Sequence, residues 1–170
     1  MIKISTVLKF AAVASVLTLA ACTDKPKAVE TAPPPTSMSS STTSSIVPGS
    51  AEDLRVNVGD TVHFDYDAYN LTDEDRTVLQ RQAAWLAKYP SVRVTVEGHC
   101  DERGTREYNL ALGARRANSV KEYLVSVGVS AARVDTISYG KERPICTESD
   151  EGCYAQNRRG VTTITGGASS

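Results

Sequence analysis

The 170-residue chain has no surplus of positive charge: 19 Lys and Arg stand against 20 Asp and Glu, a formal net charge of −1. A protein whose main partner is nucleic acid needs excess cations to meet phosphate, so that class is excluded. No basic arm hides in the total, because residues 51–170 carry 15 positive and 18 negative side chains. The chain also lacks any apolar run near the ~20 residues that a bilayer core requires. Its histidines are only His63 and His99, and its four cysteines show no C-x₂₋₄-C spacing, which leaves no ligand set for zinc. G-x-S-x-G, H-E-x-x-H and internal repeats are absent too. The length suits one ordinary domain plus extensions.

What is present begins with an address. Lys3 and Lys9 precede an apolar run from Phe10 to Ala21, broken only by Ser15 and Thr18. As a helix it would be roughly 18 Å long, too short for a ~30 Å hydrocarbon core, and with its positive flank it reads as a signal segment over residues 1–21. The run closes on Leu19-Ala20-Ala21-Cys22, which resembles a bacterial lipobox. That resemblance implies acylation of Cys22, with three chains holding it stably where one would hold only marginally. Thr23 stands where an aspartate commonly retains such proteins in the inner membrane, which points to the outer membrane.

Residues 22–50 read as a tether. Positions 23–50 hold five Pro, seven Ser and five Thr, with neither a two-residue nor a 3.6-residue apolar period. Such composition buries too little apolar surface to offset ordering entropy, so disorder is expected. As a flexible coil the segment would span about 30 Å on average and ~90 Å at full stretch. Lipid, tether and domain together imply a target that the domain must reach.

Residues 51–170 read as one α/β domain of the α+β kind, a two-layer sandwich with a mixed four-stranded sheet and helices on one face. Leu54, Val56 and Val58 alternate with polar residues, Gly59-Asp60 supplies a turn, and Thr61–Phe64 would complete a hairpin. Thr72 followed by three acids predicts a helix start, with Val78, Leu79, Ala83 and Leu86 inward and an end before Pro90. Val92, Val94 and Val96 mark a half-buried strand, and Gly98 to Gly104 a loop. A second helix is predicted from about Thr105 to Val127, with Leu112, Ala117, Val120 and Leu124 inward and Gly128 beyond its end. Strands at 134–139 and 160–165 follow, with a helical turn near Tyr154.

Cys146 and Cys153 enclose the polar loop Thr147–Gly152, and an oxidising compartment would favour a disulfide there, leaving Cys100 as the odd thiol. His99 and Cys100 are adjacent on an extended segment and point to opposite faces, which argues against a nucleophile–base pair. The carboxylate pairs Asp65 with Asp67 and Asp101 with Glu102 are weak signals for glycoside cleavage.

The densest motif runs Val94-Thr95-Val96-Glu97-Gly98-His99-Cys100-Asp101-Glu102-Arg103-Gly104-Thr105-Arg106-Glu107-Tyr108-Asn109. With Leu112-Gly113-Ala114-Arg115-Arg116-Ala117-Asn118 and Asn157-Arg158-Arg159, it resembles the OmpA-like peptidoglycan-binding domains. Asp-Glu-Arg-Gly-Thr, Gly113 and Ser-Tyr-Gly-Lys-Glu at 138–142 narrow the likeness to the peptidoglycan-associated lipoproteins of Gram-negative bacteria, over roughly residues 55–165. Cys100 departs from the usual Thr or Ala.

The resemblance implies a non-enzymatic binder of the diaminopimelate in the peptidoglycan stem peptide. It assigns Asp101 to the ligand's ammonium and Arg116 to its carboxylate, a pairing that suits a carboxylate acceptor and a forked cation. It places Asp65, Tyr66 and Asp67 at the pocket wall, largely through backbone groups, with Asn109 and Leu112 beside the site. It also implies Tol partners, TolB above all, in envelope integrity and cell division, an outer-membrane position with the domain in the periplasm, and no cofactor. Arg115 is expected to face solvent or sheet, and Arg158 and Arg159 to support the fold through carboxylates. The alternative class is an envelope enzyme, a peptidoglycan hydrolase or a thiol oxidoreductase.

Overall fold

The computed structural model describes residues 46–169; the predicted signal segment, Cys22 and the tether up to residue 45 lie outside the described residues. The last predicted tether residues already belong to the folded part. Gly49 is buried, its N–H donates to Asp53 Oδ2 (2.8 Å), and its carbonyl accepts from Ser169 (3.3 Å).

The predicted strand through Leu54, Val56 and Val58 is instead helical. Ser50 caps α1 (Ala51–Asp53) by accepting from Asp53 N–H at 3.1 Å, and the chain continues as a π-helical turn over Leu54–Val58. The buried Asp53 carboxylate favours this, because a helical turn brings it donors from Gly49 and from Asn57 Nδ2 (2.8 Å), and Trp85 Nε1 of the next helix adds a third (2.9 Å). An i, i+2, i+4 pattern also contains an i, i+4 pair, so Leu54 and Val58 share a helical face while Val56 stays 52% exposed.

Beyond Gly59, β1 (Thr61–His63) enters the sheet. The capping box of α2 (Asp73–Lys88) is closed by Thr72 and Asp75, and Asp75 Oδ1 also accepts from His63 N–H (3.1 Å), tying the helix start to β1. Leu79, Ala83 and Leu86 face inward as the spacing predicts, and so do Gln82 and Trp85. Gln82 is buried because it donates to Gly59 O and accepts from Thr162 Oγ1, both at 2.8 Å.

β2 (Arg93–His99) leads through the 100–105 loop into α3 (Arg106–Ser126), which Thr105 caps. A 3₁₀ turn (Ala131–Arg133) precedes β3 (Val134–Gly140), and α4 (Glu151–Asn157) precedes β4 (Arg159–Gly166). The sheet order is β1-β4-β2-β3, with β2 and β3 parallel and the other pairs antiparallel. The sheet is mixed and four-stranded as expected, one strand fewer than the pattern marks because residues 54–58 are helical. Val94 and Val96 of β2 pack with Leu79, Leu86, Ala117, Val120 and Leu124 into one core on the helical side. No helix among the described residues is long and apolar enough to cross a membrane.

Gly98 and Gly113 position the site. A Cβ on Gly98 would fall onto the Gly113 carbonyl oxygen, and one on Gly113 would meet Ser138 Oγ. Backbone thus touches backbone between β2 and α3, which brings the end of the strand against the helix one turn before Arg116. Gly98→Ala is expected to lower unfolding stability by about 3 kcal/mol, the upper range for an overpacked contact, as chemical denaturation will measure.

Candidate binding site

At the C-terminal end of β2 the 100–105 loop, the 65–68 turn and α3 enclose a cavity of about 140 Å³. Asp101, Arg116, Tyr66, Asp67, Asn109 and Leu112 line it together, although 15 positions separate Asp101 from Arg116. The loop folds back because Asn109 Nδ2 donates to the carbonyls of Arg103 (2.8 Å) and Thr105 (3.1 Å), so Asn109 positions the loop. The Asp65 side chain is exposed and does not line the cavity; its carbonyl takes part instead.

Arg116 is completely buried, and its guanidinium donates to the carbonyls of Ala68 (2.8 Å), His99 (2.8 Å) and Asp65 (3.0 Å). Among the described residues no carboxylate forms an ion pair with it. Burial draws its pKa down and Cys100 and Asp101 oppose that, but a guanidinium stays charged at neutral pH. The site therefore holds a desolvated cation whose neutralising anion is not supplied by a contacting side chain.

Asp101 is not the free anion that the sequence suggests. Arg103 grips both its oxygens, Nε to Oδ1 at 3.1 Å and Nη2 to Oδ2 at 2.6 Å, and Arg158 Nη1 reaches Oδ2 at 3.4 Å. Burial raises the Asp101 pKa, but the side-chain and backbone hydrogen bonds from Arg103 outweigh it and hold the carboxyl below its ordinary value. The sequence pattern assigns Arg103 no role, and its closeness to Asp101 in a glycine-containing loop is the one local hint of this pairing.

Tyr108 is the second omission: its hydroxyl donates to Asp67, whose backbone adopts a positive φ of 55°. Arg158 is buried, pairs with Glu151 (2.7 Å) as well as Asp101, and donates to Phe64 O (2.9 Å), a support through carboxylates. Arg159 supports the fold through carbonyls instead, those of Asn157 (3.4 Å) and Arg143 (3.2 Å). Arg115 lies exposed over the Tyr69 ring at 5.5 Å.

A disulfide joins Cys146 and Cys153, with Cα atoms 5.2 Å apart. Cys100 is a buried free thiol donating to Asn109 O (3.3 Å), and burial pushes its pKa up, the opposite of what a nucleophile needs. Among the described residues no three His, Cys, Asp or Glu side chains cluster so as to hold a metal ion.

The OmpA family's model matches residues 63–158. The chain belongs to that family. It is 55% identical over 122 residues to the peptidoglycan-associated lipoprotein of Mesorhizobium japonicum, covering 72% of this chain and 73% of the relative. Against the protein of the same name from Rhizobium meliloti it is 57% identical over 123 residues, covering 72% and 69%. Within the family the chain thus falls among the peptidoglycan-associated lipoproteins. The crystal structure of the peptidoglycan-associated lipoprotein from Burkholderia pseudomallei superimposes with a TM-score of 0.61 at 40% identity, covering 62% of this chain and 90% of that one. The C-terminal domain of Helicobacter pylori MotB shares the fold, with a TM-score of 0.59 at 23% identity, over 62% of this chain and 84% of that one. These lipoproteins are not an enzyme family, which sets aside the hydrolase and the thiol oxidoreductase.

The His99 ring is 2% exposed beside the site, and its carbonyl is one of the three that hold Arg116. Neither ring nitrogen has a hydrogen-bond partner among the described residues; Glu97 Oε2 stands 3.5 Å from Nε2 and the Tyr139 ring 5.5 Å away. Burial, then the charges of Arg159 and Arg143, lower its pKa to about 4. Between the ordinary value of 6.5 and about 4, the unfolded chain binds a proton that the folded chain refuses. Stability is therefore full above that window and falls as pH drops through it. The melting temperature should fall by on the order of 5 °C between pH 7 and 4.5 from this group, and His99→Gln should remove that part of the slope in a thermal scan.

Proposed function

We propose that this chain binds peptidoglycan noncovalently by gripping the diaminopimelate of the stem peptide, and so links the outer membrane to the cell wall. The observation that carries this reading is the buried Arg116 guanidinium, without a carboxylate in contact, in the same cavity as the buried Asp101. When diaminopimelate is not cross-linked, its side-chain end bears an ammonium and a carboxylate on one carbon. The carboxylate supplies the anion that Arg116 lacks, and the ammonium meets Asp101. Tyr66 and Leu112 provide apolar contact for the carbon chain between them. A lone charge docking against these two buried groups would satisfy one and leave the other without its partner, which favours a zwitterionic head over a plain amine or acid.

The name shared by the relatives supports wall association. Acylation at Cys22 would supply the anchor and residues 23–50 the reach, so that many weak attachments add up along the envelope. The family resemblance extends the reading to the Tol system, with TolB competing for an overlapping face during cell division.

Arg116→Ala is not a clean test of ligand contact, because it also deletes three hydrogen bonds to backbone carbonyls. Asp101→Asn keeps the shape and removes the charge. In a pull-down with isolated sacculi, competed with free diaminopimelate, Asp101→Asn should weaken binding by about tenfold or more with an unchanged circular dichroism spectrum. Arg116→Ala should abolish binding and lower the melting temperature. Undiminished binding by Asp101→Asn would refute the assignment.

A further inference from the structure

In the unliganded site Arg103 already occupies the place that a ligand ammonium must take, since it engages both oxygens of Asp101. The same guanidinium has a second carboxylate within reach, with Nη1 3.5 Å from Glu151 Oε2. It lies over the Tyr66 ring (4.2 Å) and the Tyr154 ring (4.3 Å), so stacking persists if the guanidinium slides between its two anions.

Glu151 stands inside the segment that Cys146 and Cys153 close. That segment is fastened to the binding loop, because the hydroxyls of Ser149 within it and of Tyr154 just beyond it both donate to Glu102 Oε1 at 2.8 Å. Its base is fixed by Asn157, whose Oδ1 accepts from the N–H groups of Ile145 (2.9 Å) and Cys146 (3.2 Å). The second carboxylate is thus presented from a segment closed by the disulfide and held by these bonds.

We propose that Arg103 is a built-in competitor for the ammonium seat on Asp101, and that the disulfide-closed 146–153 loop tunes ligand affinity by offering Arg103 an alternative seat on Glu151. This rests on the diaminopimelate reading of the cavity and goes beyond it, because it concerns residues which that reading leaves without a role. The ligand's carboxylate docks on Arg116, its ammonium displaces Arg103, and Arg103 moves to Glu151. Loss of the second seat leaves Arg103 on Asp101 and raises the barrier to exchange as well as its free-energy cost. Arg158, which also bridges Asp101 and Glu151, stays in place throughout because it is buried and bonded to Phe64 O.

The test is calorimetric titration of the full chain in detergent with a soluble muropeptide ending in uncross-linked diaminopimelate. Arg103→Ala should bind more tightly than the parent chain. Glu151→Gln and the pair Cys146→Ser with Cys153→Ser should each weaken binding about threefold to tenfold, and in the Arg103→Ala background both effects should shrink below about twofold. A merely structural role for the loop would give the same loss in either background. Glu151 is exposed at the start of α4, so its variant reports even if the cysteine pair fails to fold. An unchanged affinity in Glu151→Gln, or a loss that persists without Arg103, overturns the proposal. If the parent chain binds no muropeptide, the reading of the cavity itself falls.

Discussion

The site depends on one buried cation holding three pieces of backbone. Arg116 reaches from α3 to carbonyls that lie 51, 48 and 17 positions earlier in the chain, at Asp65, Ala68 and His99. A planar fork of donors suits this task as an ammonium would not, because three carbonyls at fixed angles need three N–H vectors in one plane. The 65–68 turn depends on it most. Asp67 adopts a left-handed backbone there, which costs a non-glycine residue energy, and the two carbonyls flanking it both end on Arg116. Remove the guanidinium and the wall bearing Tyr66 and Asp67 loses its tie to the helix.

A second layer of charge surrounds that hub. Asp101 and Glu151 are both bridged by Arg103 and Arg158, so two anions and two cations form a closed ring beside Arg116. Such a ring keeps a buried carboxylate ionised without leaving it bare, and keeps the approach polar enough to admit a charged head group. Of the two cations Arg103 is the one able to move, with a side chain 34% exposed against 7% for Arg158.

What the sequence discloses follows the physics of each element. The amphipathic period of α3, its threonine cap and the valine alternation of β2 are local signals, and local signals decide these elements. The segment at 54–58 misleads because its conformation follows the buried Asp53 carboxylate, whose donors include Trp85, 32 residues further along the chain. Gln82 is hidden for the same reason, its burial depending on Thr162 at the far end of the domain. Asp101 and Arg116 are legible through a family motif and not through spacing, whereas the hold of Arg103 on Asp101 depends on loop geometry that no periodicity encodes.

The ends of the domain add a mechanical property. Gly49 meets Tyr89 and Ser169, and Gly167 lies against Ser91, so the chain enters and leaves beside the first residue of β2. The cavity lies past the last residue of that strand, roughly 20 Å away at ~3.3 Å per residue. A force applied between entry point and cavity runs along the strands and loads the ladders that β2 makes with both β3 and β4 in shear. Many hydrogen bonds must then break at once, where a pull across the sheet would open them one after another.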